Sequence, residues 1–365
     1  MIRGNGSAVM SKFFTIIGGV LIALVIGVVA ALYWPEKTYQ PFQVSKAYQT
    51  QADSFSIPPM PADWVWSSFE AGDETRLRWG HTGNSGTSDV TLLLIPGYTA
   101  TLEMYGEHID LLAERGFHVV GLDLRGQGGA DRYFDDRPEK LWVDDFSTYS
   151  DDVAGFIQSL NFSSDHLVIP IAISFGGHVA IRMAMEHEGI VDGLVLVAPA
   201  IQPKAGNYEF DQALILMNFM RKIGLSERYV IGGGDWKPVG QDYSVAGIEW
   251  CSSEPKRLFL RDAVFTNNAA LRVGGVTNQW GAEFFESSQL IRQPGRLNNV
   301  DIPILMFSAG RDDFVSTEVN ETVCDKTLPQ CKNIHYPETG HCLPQETDDV
   351  VFDILKTIES FALKL

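Results

Sequence analysis

Positive charge is in short supply here: the 365 residues carry 28 Lys and Arg against 46 Asp and Glu, a formal net charge of −18 at pH 7. A chain so charged repels phosphate, which excludes a nucleic-acid partner and a polybasic grip on anionic lipid. Cysteine is scarce too. The four present, Cys251, Cys324, Cys331 and Cys342, show none of the spacings that hold zinc. Internal repeats and low-complexity tracts are lacking, which removes repeat architectures from consideration. What remains is an ordinary globular composition, 45% hydrophobic and 20% charged, long enough for one large domain or a domain with an insertion.

One stretch stands apart. Residues 13–35 contain no charged side chain, and their centre reads FFTIIGGVLIALVIGVVAALY. About 21 helical residues span roughly 32 Å, matching the ~30 Å hydrocarbon layer of a bilayer. A signal-peptide core is shorter, about 7–15 residues. The expectation is an uncleaved N-terminal transmembrane helix, a single-pass anchor within residues 1–40. Arg3 and Lys12 precede it, and Lys37 and Lys46 follow. This slight bias places the N-terminus in the cytoplasm and the body on the opposite, periplasmic or extracytoplasmic side. An oxidising compartment would allow the short loop CDKTLPQC to close as a Cys324–Cys331 disulfide; four free thiols are the alternative. Cys251 and Cys342 lie far apart in sequence.

Prolines 35, 41, 58, 59 and 61 mark residues 36–62 as a linker. Two strands around Gly72 and Asp73 follow. Then a regular alternation sets in: strand VTLLLI, helix 102–115, strand FHVVGLDL, helix 147–160, strand HLVIPIAI, helix 176–188, strand VDGLVLVAP. Near-continuous apolar strands separated by helices imply a mostly parallel sheet covered on both faces. The alternation stops near Pro199 and resumes at IPILMFSAG, followed by a helix, NIHYPE and a final helix over 346–363. Residues 201–297 are therefore expected as an inserted cap with helices of its own, one of them over 211–221, between core segments 41–200 and 298–365.

Ser174 ends the strand HLVIPIAI, with Ala172 two residues before it and Gly176 two after. Small residues at those places are what a strained strand-to-helix turn requires if it is to expose a nucleophile. A serine needs a base, and the base a carboxylate, in the chain order Ser, acid, His. RDDFVS, after IPILMFSAG, offers Asp312 and Asp313, with Asp312 preferred; TGHC, after NIHYPE, offers His341. Of the other imidazoles, His178 lies in the helix after the serine, His335 lies within a strand, and His108, His118 and His187 have no comparable placement. The oxyanion donors would be the backbone N–H of Phe175 and that of Tyr98, beside the Pro96-Gly97 turn.

On these residues the chain resembles the α/β-hydrolase fold, in its lysophospholipase and monoacylglycerol lipase branch. The stretch PGYTATLEMYGEHIDLLAERGFHVVGLDLRGQGGADR is similar to that branch from the oxyanion loop to its RGxG turn, with Gln127 where many relatives have His. FTNNAALRVGGVTNQW is similar to the cap of the bacterial lysophospholipases. The resemblance implies a Ser174-Asp312-His341 triad and an esterase that removes the single acyl chain of a lysophospholipid or monoacylglycerol, without metal or organic cofactor. Ala172 stands where the family has Gly, and Pro96 where it has His. Met217, Phe219, Met220 and Trp280 would line an acyl tunnel or pack within the cap's own core. Two other functions share the scaffold: a serine peptidase of the proline-aminopeptidase kind, and a non-catalytic binding module. Oligomeric state is not legible.

Overall fold

The computed structural model describes residues 27, 29–30, 33–83, 88–238 and 251–365. Most of the apolar run 13–35, where the anchor is expected, lies outside them; among the described residues no helix is long and apolar enough to cross a membrane.

In chain order the elements are α1 (Lys46–Ser54), β1 (Val65–Glu70), β2 (Arg76–His81), β3 (Val90–Ile95), α2 (Gly106–Glu114), β4 (His118–Leu122), α3 (Ser147–Ser159), β5 (Leu167–Ile173), α4 (Phe175–Glu186) and β6 (Leu194–Val197). Between β6 and β7, where the insertion is expected, lie α5 (Phe210–Lys222), α6 (Pro255–Asn267) and α7 (Asn278–Ile291). The core resumes with β7 (Ile304–Ala309), α8 (Thr317–Lys326), β8 (Cys331–Tyr336) and α9 (Asp348–Ala362).

Eight strands form one sheet in the order β1-β2-β4-β3-β5-β6-β7-β8. β1 pairs with β2, and β2 with β4, antiparallel; every later pairing is parallel. The strand period of two divides the apolar runs between two cores. Leu93, Ile95, Ala172, Leu196 and Met306 pack on one face with Phe146, Val153 and Val179 of the α3–α4 layer. Leu92, Leu94, Ile171, Ile173, Val195 and Phe307 pack on the other, with Ile109 of α2 and Ile354, Leu355 and Ile358 of α9. Parallel pairing brings the carboxyl ends of β3, β5, β7 and β8 to one rim, where ligand sites of open α/β sheets lie.

The expected linker 36–62 is ordered instead. Ser45 caps α1 by accepting from the Tyr48 amide, and the Tyr48 hydroxyl donates to Asp262 on α6 at 2.6 Å. Phe55 and Tyr48 both meet Phe259 edge-on. Upstream, Arg228 holds the Trp34 carbonyl at 2.7 Å, the Tyr39 hydroxyl donates to Glu139 at 2.8 Å, and Arg272 donates to the Phe42 carbonyl at 3.0 Å. The prolines keep this strap extended, and the aromatics between them give it something to bury.

Both cysteine pairs are closed: Cys324–Cys331, seven residues apart, and Cys251–Cys342, 91 apart.

Candidate active site

The chain between β5 and α4 turns on Ser174, which has φ 51° and ψ −112°, a conformation that a residue with a side chain adopts only when its surroundings enforce it. Three backbone bonds do so: Ser174 N–H to the Val197 carbonyl at 2.9 Å, and the Ser174 carbonyl accepting from Ala200 at 2.9 Å and His178 at 3.1 Å. The neighbours must be small. A methyl built on Gly176 would lie 2.5 Å from the carbonyl oxygens of Ile95 and Pro96, and one on Gly177 would lie 2.9 Å from Pro199 Cβ.

The three distant loops meet. His341 Nε2 lies 2.8 Å from Ser174 Oγ, and His341 Nδ1 lies 2.6 Å from Asp312 Oδ2. A carboxylate only accepts, so Nδ1 carries the proton and Nε2 is left to accept from the serine hydroxyl. The other Asp312 oxygen, Oδ1, accepts the N–H groups of Phe314 and Val315 at 2.8 and 2.9 Å. This fixes which oxygen faces the imidazole. Asp312 is buried, whereas Asp313 is exposed. Phe314 stands 5.0 Å from the His341 ring, centroid to centroid.

The Tyr98 loop lies beside the serine: a methyl on Gly97 would sit 3.3 Å from Ser174 Cβ. Among the described residues, neither the Tyr98 nor the Phe175 amide donates a hydrogen bond outside helix and strand pairing. The Tyr98 hydroxyl donates to the Gly274 carbonyl of the insertion at 2.7 Å. Trp280 is brought to the same place, 5.9 Å from the Tyr98 ring and 5.2 Å from Phe175, with Nε1 donating to the Tyr149 hydroxyl at 2.8 Å. Met217 and Met220 are buried within the insertion, Met217 against Gly281 of α7. Phe219 does not join them: it is 54% exposed, so it lines no enclosed tunnel. Its place in α5 explains this, because Leu214, Met217 and Met220 take the inward face.

His178 is no rival base. It is fully buried, with its ring nitrogens on the Ala200 carbonyl and the Ser287 hydroxyl at 2.9 and 2.8 Å. Burial pushes its pKa down to about 3. Near the site, burial raises the carboxyl pKa of Asp123, opposed by the Arg78 guanidinium.

Two features went unforeseen. The first is the stitching of the His341 loop to residues 251–254 of the insertion. Beside the Cys251–Cys342 disulfide, fully buried Glu346 accepts from the Gly340 amide at 3.2 Å and from the Ser253 amide at 3.2 Å and hydroxyl at 2.5 Å. A cysteine directly after the candidate base was the one available signal. The second is the side chain of Gln127, which reaches the Gly97 carbonyl. Its position in the RGQG turn was visible, but not its reach.

This sheet and this rim define an α/β-hydrolase. A family model described as Hydrolase_4, serine aminopeptidase S33, matches residues 86–348, more than half of the chain. Lysophospholipase L2 of Escherichia coli K12 is 24% identical over 296 residues, covering 78% of this chain and 83% of the relative. Among solved structures, a soluble variant of monoglyceride lipase from Saccharomyces cerevisiae, in complex with a substrate analogue, superposes with TM-score 0.64 at 15% identity, covering 85% of this chain and 99% of the other. A carboxyl esterase from Bacillus coagulans superposes with TM-score 0.65 at 16% identity, covering 82% and 97%. At such identities the structures speak for the fold alone. The chain belongs to the Hydrolase_4 family of α/β-hydrolases, a family of serine hydrolases.

Proposed function

We propose that the protein hydrolyses the carboxylic ester of a single-chain lipid, a lysophospholipid or monoacylglycerol, through an acyl-enzyme on Ser174. The observation that carries this reading is the proton chain Ser174–His341–Asp312, at 2.8 and 2.6 Å. His341 Nε2 takes the hydroxyl proton as Ser174 Oγ attacks the ester carbonyl carbon. The Phe175 and Tyr98 amides stabilise the oxyanion, each able to lower the barrier by ~3 kcal/mol. The C–O bond to the glycerol-side alcohol breaks, and that alcohol leaves with the proton from His341. Water, deprotonated by the same imidazole, then attacks the acyl carbon and releases the fatty acid and Ser174. Asp312 holds the tautomer and stabilises the imidazolium.

Single-chain substrates are supported by the lysophospholipase relative and by the Trp280 side chain, which the insertion brings beside Tyr98 and Phe175. Their partitioning into bilayers suits the expected anchor at residues 13–35. The two disulfides suit a body on the extracytoplasmic side. The family's aminopeptidase members favour one second reading, cleavage of an N-terminal amino acid.

A fluorophosphonate probe should label wild-type protein at Ser174, with no labelling of Ser174→Ala. A panel of lysophosphatidylcholine, monoacylglycerol and aminoacyl-arylamides then separates the substrates. Preferential arylamide turnover would replace the lipid reading, and an unlabelled folded wild type would end the hydrolytic one. Retention in membranes after carbonate washing, lost on deleting residues 1–32, tests the anchor.

A further inference from the structure

The turn after β4 takes no part in the cycle above, yet one of its side chains reaches the loop beside the nucleophile. Gln127 is fully buried, and its Nε2 donates to the Gly97 carbonyl at 2.8 Å. A carbonyl can only accept, so the amide must present its nitrogen there. Its oxygen then faces away and finds no partner among the described residues. Buried polar atoms are nearly always satisfied. An apolar side chain of equal length would remove the bare oxygen, so packing alone gives no reason for glutamine. The donor end does.

The Gly97–Tyr98 peptide is planar and trans, since the described residues contain no cis bond. The Gly97 carbonyl and the Tyr98 N–H therefore lie on opposite edges of one plane, and whatever fixes the first fixes the second. Glycine gives this peptide unusual freedom to rotate, so an external restraint has work to do. Gln127 is itself held by the turn wrapped around Asp123. That carboxylate accepts from Arg78 Nε at 2.7 Å and from the Gly129 and Leu102 amides at 3.0 and 3.1 Å. Gly128, at φ 54°, approaches it so closely that a methyl there would lie 2.2 Å from Asp123 Cγ.

We propose that Gln127 is a positioning residue for the oxyanion hole: by clamping the Gly97 carbonyl it aims the Tyr98 amide at the oxyanion. The inference rests on the acyl-enzyme cycle above and adds to it a residue that touches no substrate. Without the clamp the peptide can rotate and present a carbonyl where a donor is needed. The loss falls on the transition state, so kcat drops while KM holds.

The test uses full-length protein in detergent with 4-nitrophenyl butyrate. Gln127→Met keeps the length and removes the donor; kcat is expected to fall about 10- to 100-fold with KM changed less than about twofold. Gln127→Glu provides the rescue. Its carboxylate cannot donate, but the protonated acid can, and burial favours the neutral form. The ratio of its kcat to that of wild type should therefore climb about tenfold as the pH falls from about 8.5 to about 5.5, with near-ultraviolet circular dichroism unchanged. Asp123, Arg78 and Arg132 around the turn, and His341 at the site, are common to both proteins and cancel in the ratio. A role in folding alone would lower thermal stability and leave the ratio flat. Wild-type kcat in Gln127→Met, or a flat ratio in folded Gln127→Glu, overturns the clamp. A wild type that labels with fluorophosphonate and turns over ester beside an unimpaired Gln127→Met removes only the clamp. A wild type that does neither removes the hydrolytic reading, and the clamp with it.

Discussion

Replacing Gly176 by alanine adds one methyl where the serine turn crosses the end of β3. That methyl would lie 2.5 Å from both the Ile95 and Pro96 carbonyl oxygens and 3.0 Å from Ile95 Cγ2. Carbon–oxygen contacts settle near 3.3 Å, so the two chains must part by about 0.8 Å. Neither carbonyl can turn aside cheaply. Ile95 ends β3, paired with Ala172 of β5, and Pro96 opens the loop that carries Tyr98. The shift is therefore passed to the two parts that must stay in register, the serine turn and the oxyanion loop. A displacement near 1 Å costs about 100-fold in rate, which puts the expected fall in kcat at about 30- to 100-fold. Overpacking costs about 1–3 kcal/mol, but alanine returns up to ~1 kcal/mol in helix propensity, so turnover is the sensitive readout. Gly97→Ala is the control. Its methyl would lie 3.3 Å from the Ile173 carbonyl and Ser174 Cβ, which needs a shift of only about 0.2–0.4 Å, and kcat should stay within about fivefold. Steady-state kinetics on a 4-nitrophenyl ester, with thermal unfolding beside them, decide the matter. If Gly176→Ala keeps kcat within about threefold of wild type while folded, or falls no further than Gly97→Ala, the crossing does not hold the two parts in register.

The acid assignment separates cleanly: Asp312→Asn should lower kcat by about 10⁴-fold and exposed Asp313→Asn by less than about twofold, and equal losses would refute the geometry. Non-reducing peptide mapping should recover the Cys251–Cys342 and Cys324–Cys331 pairs. Replacing the first pair by serine releases a closure of 91 residues, worth roughly 4–5 kcal/mol on a chain-entropy estimate, and should lower both the unfolding midpoint in urea and kcat. His178, held down to about 3 by burial against an ordinary 6.5, is neutral in the fold where the unfolded chain takes up a proton. Its contribution is therefore constant above about pH 6.5 and turns against the fold on acidification, by roughly 2 kcal/mol at about pH 5. Histidine NMR should show its ring unshifted between about pH 8 and 5, and a titration near 6.5 would contradict the burial.

The sheet was legible because parallel strands buried on both faces leave apolar runs that need no partner to be read. VTLLLI, HLVIPIAI and IPILMFSAG became β3, β5 and β7. Ser174, Asp312 and His341 were legible for a related reason: each follows such a run, and parallel pairing sends them all to one rim. The insertion was less open. Only α5 was anticipated, near Asp211, because α6 and α7 pack on several sides and blur the helical period. The strap over 36–62 was misread because prolines mark an irregular path whether or not that path is bound. Tyr48 and Phe55, which bind it to Phe259 and Asp262, announce nothing until α6 is in place. Cys251 and Cys342 met the same obstacle, since a closure over such a distance is set by the fold and not by local sequence.

That last pair changes how the insertion should be regarded. The His341 loop is gripped from two sides: Asp312, from the core, takes Nδ1, while the disulfide, Glu346 and the Cys342 amide on the Cys251 carbonyl bind the loop to residues 251–254. Tyr98 touches the insertion as well, through the Gly274 carbonyl and the Trp280 ring of α7. A rigid lifting of the whole insertion would therefore carry the base away from Ser174 and loosen the Tyr98 loop together. Residues 251–254 are therefore expected to stay in place when the serine is occupied. Fluorescent pairs across Ser253 and Thr347 should report no change in distance when an acyl-phosphonate occupies the serine, whereas a change would mean that the base itself travels with the cap.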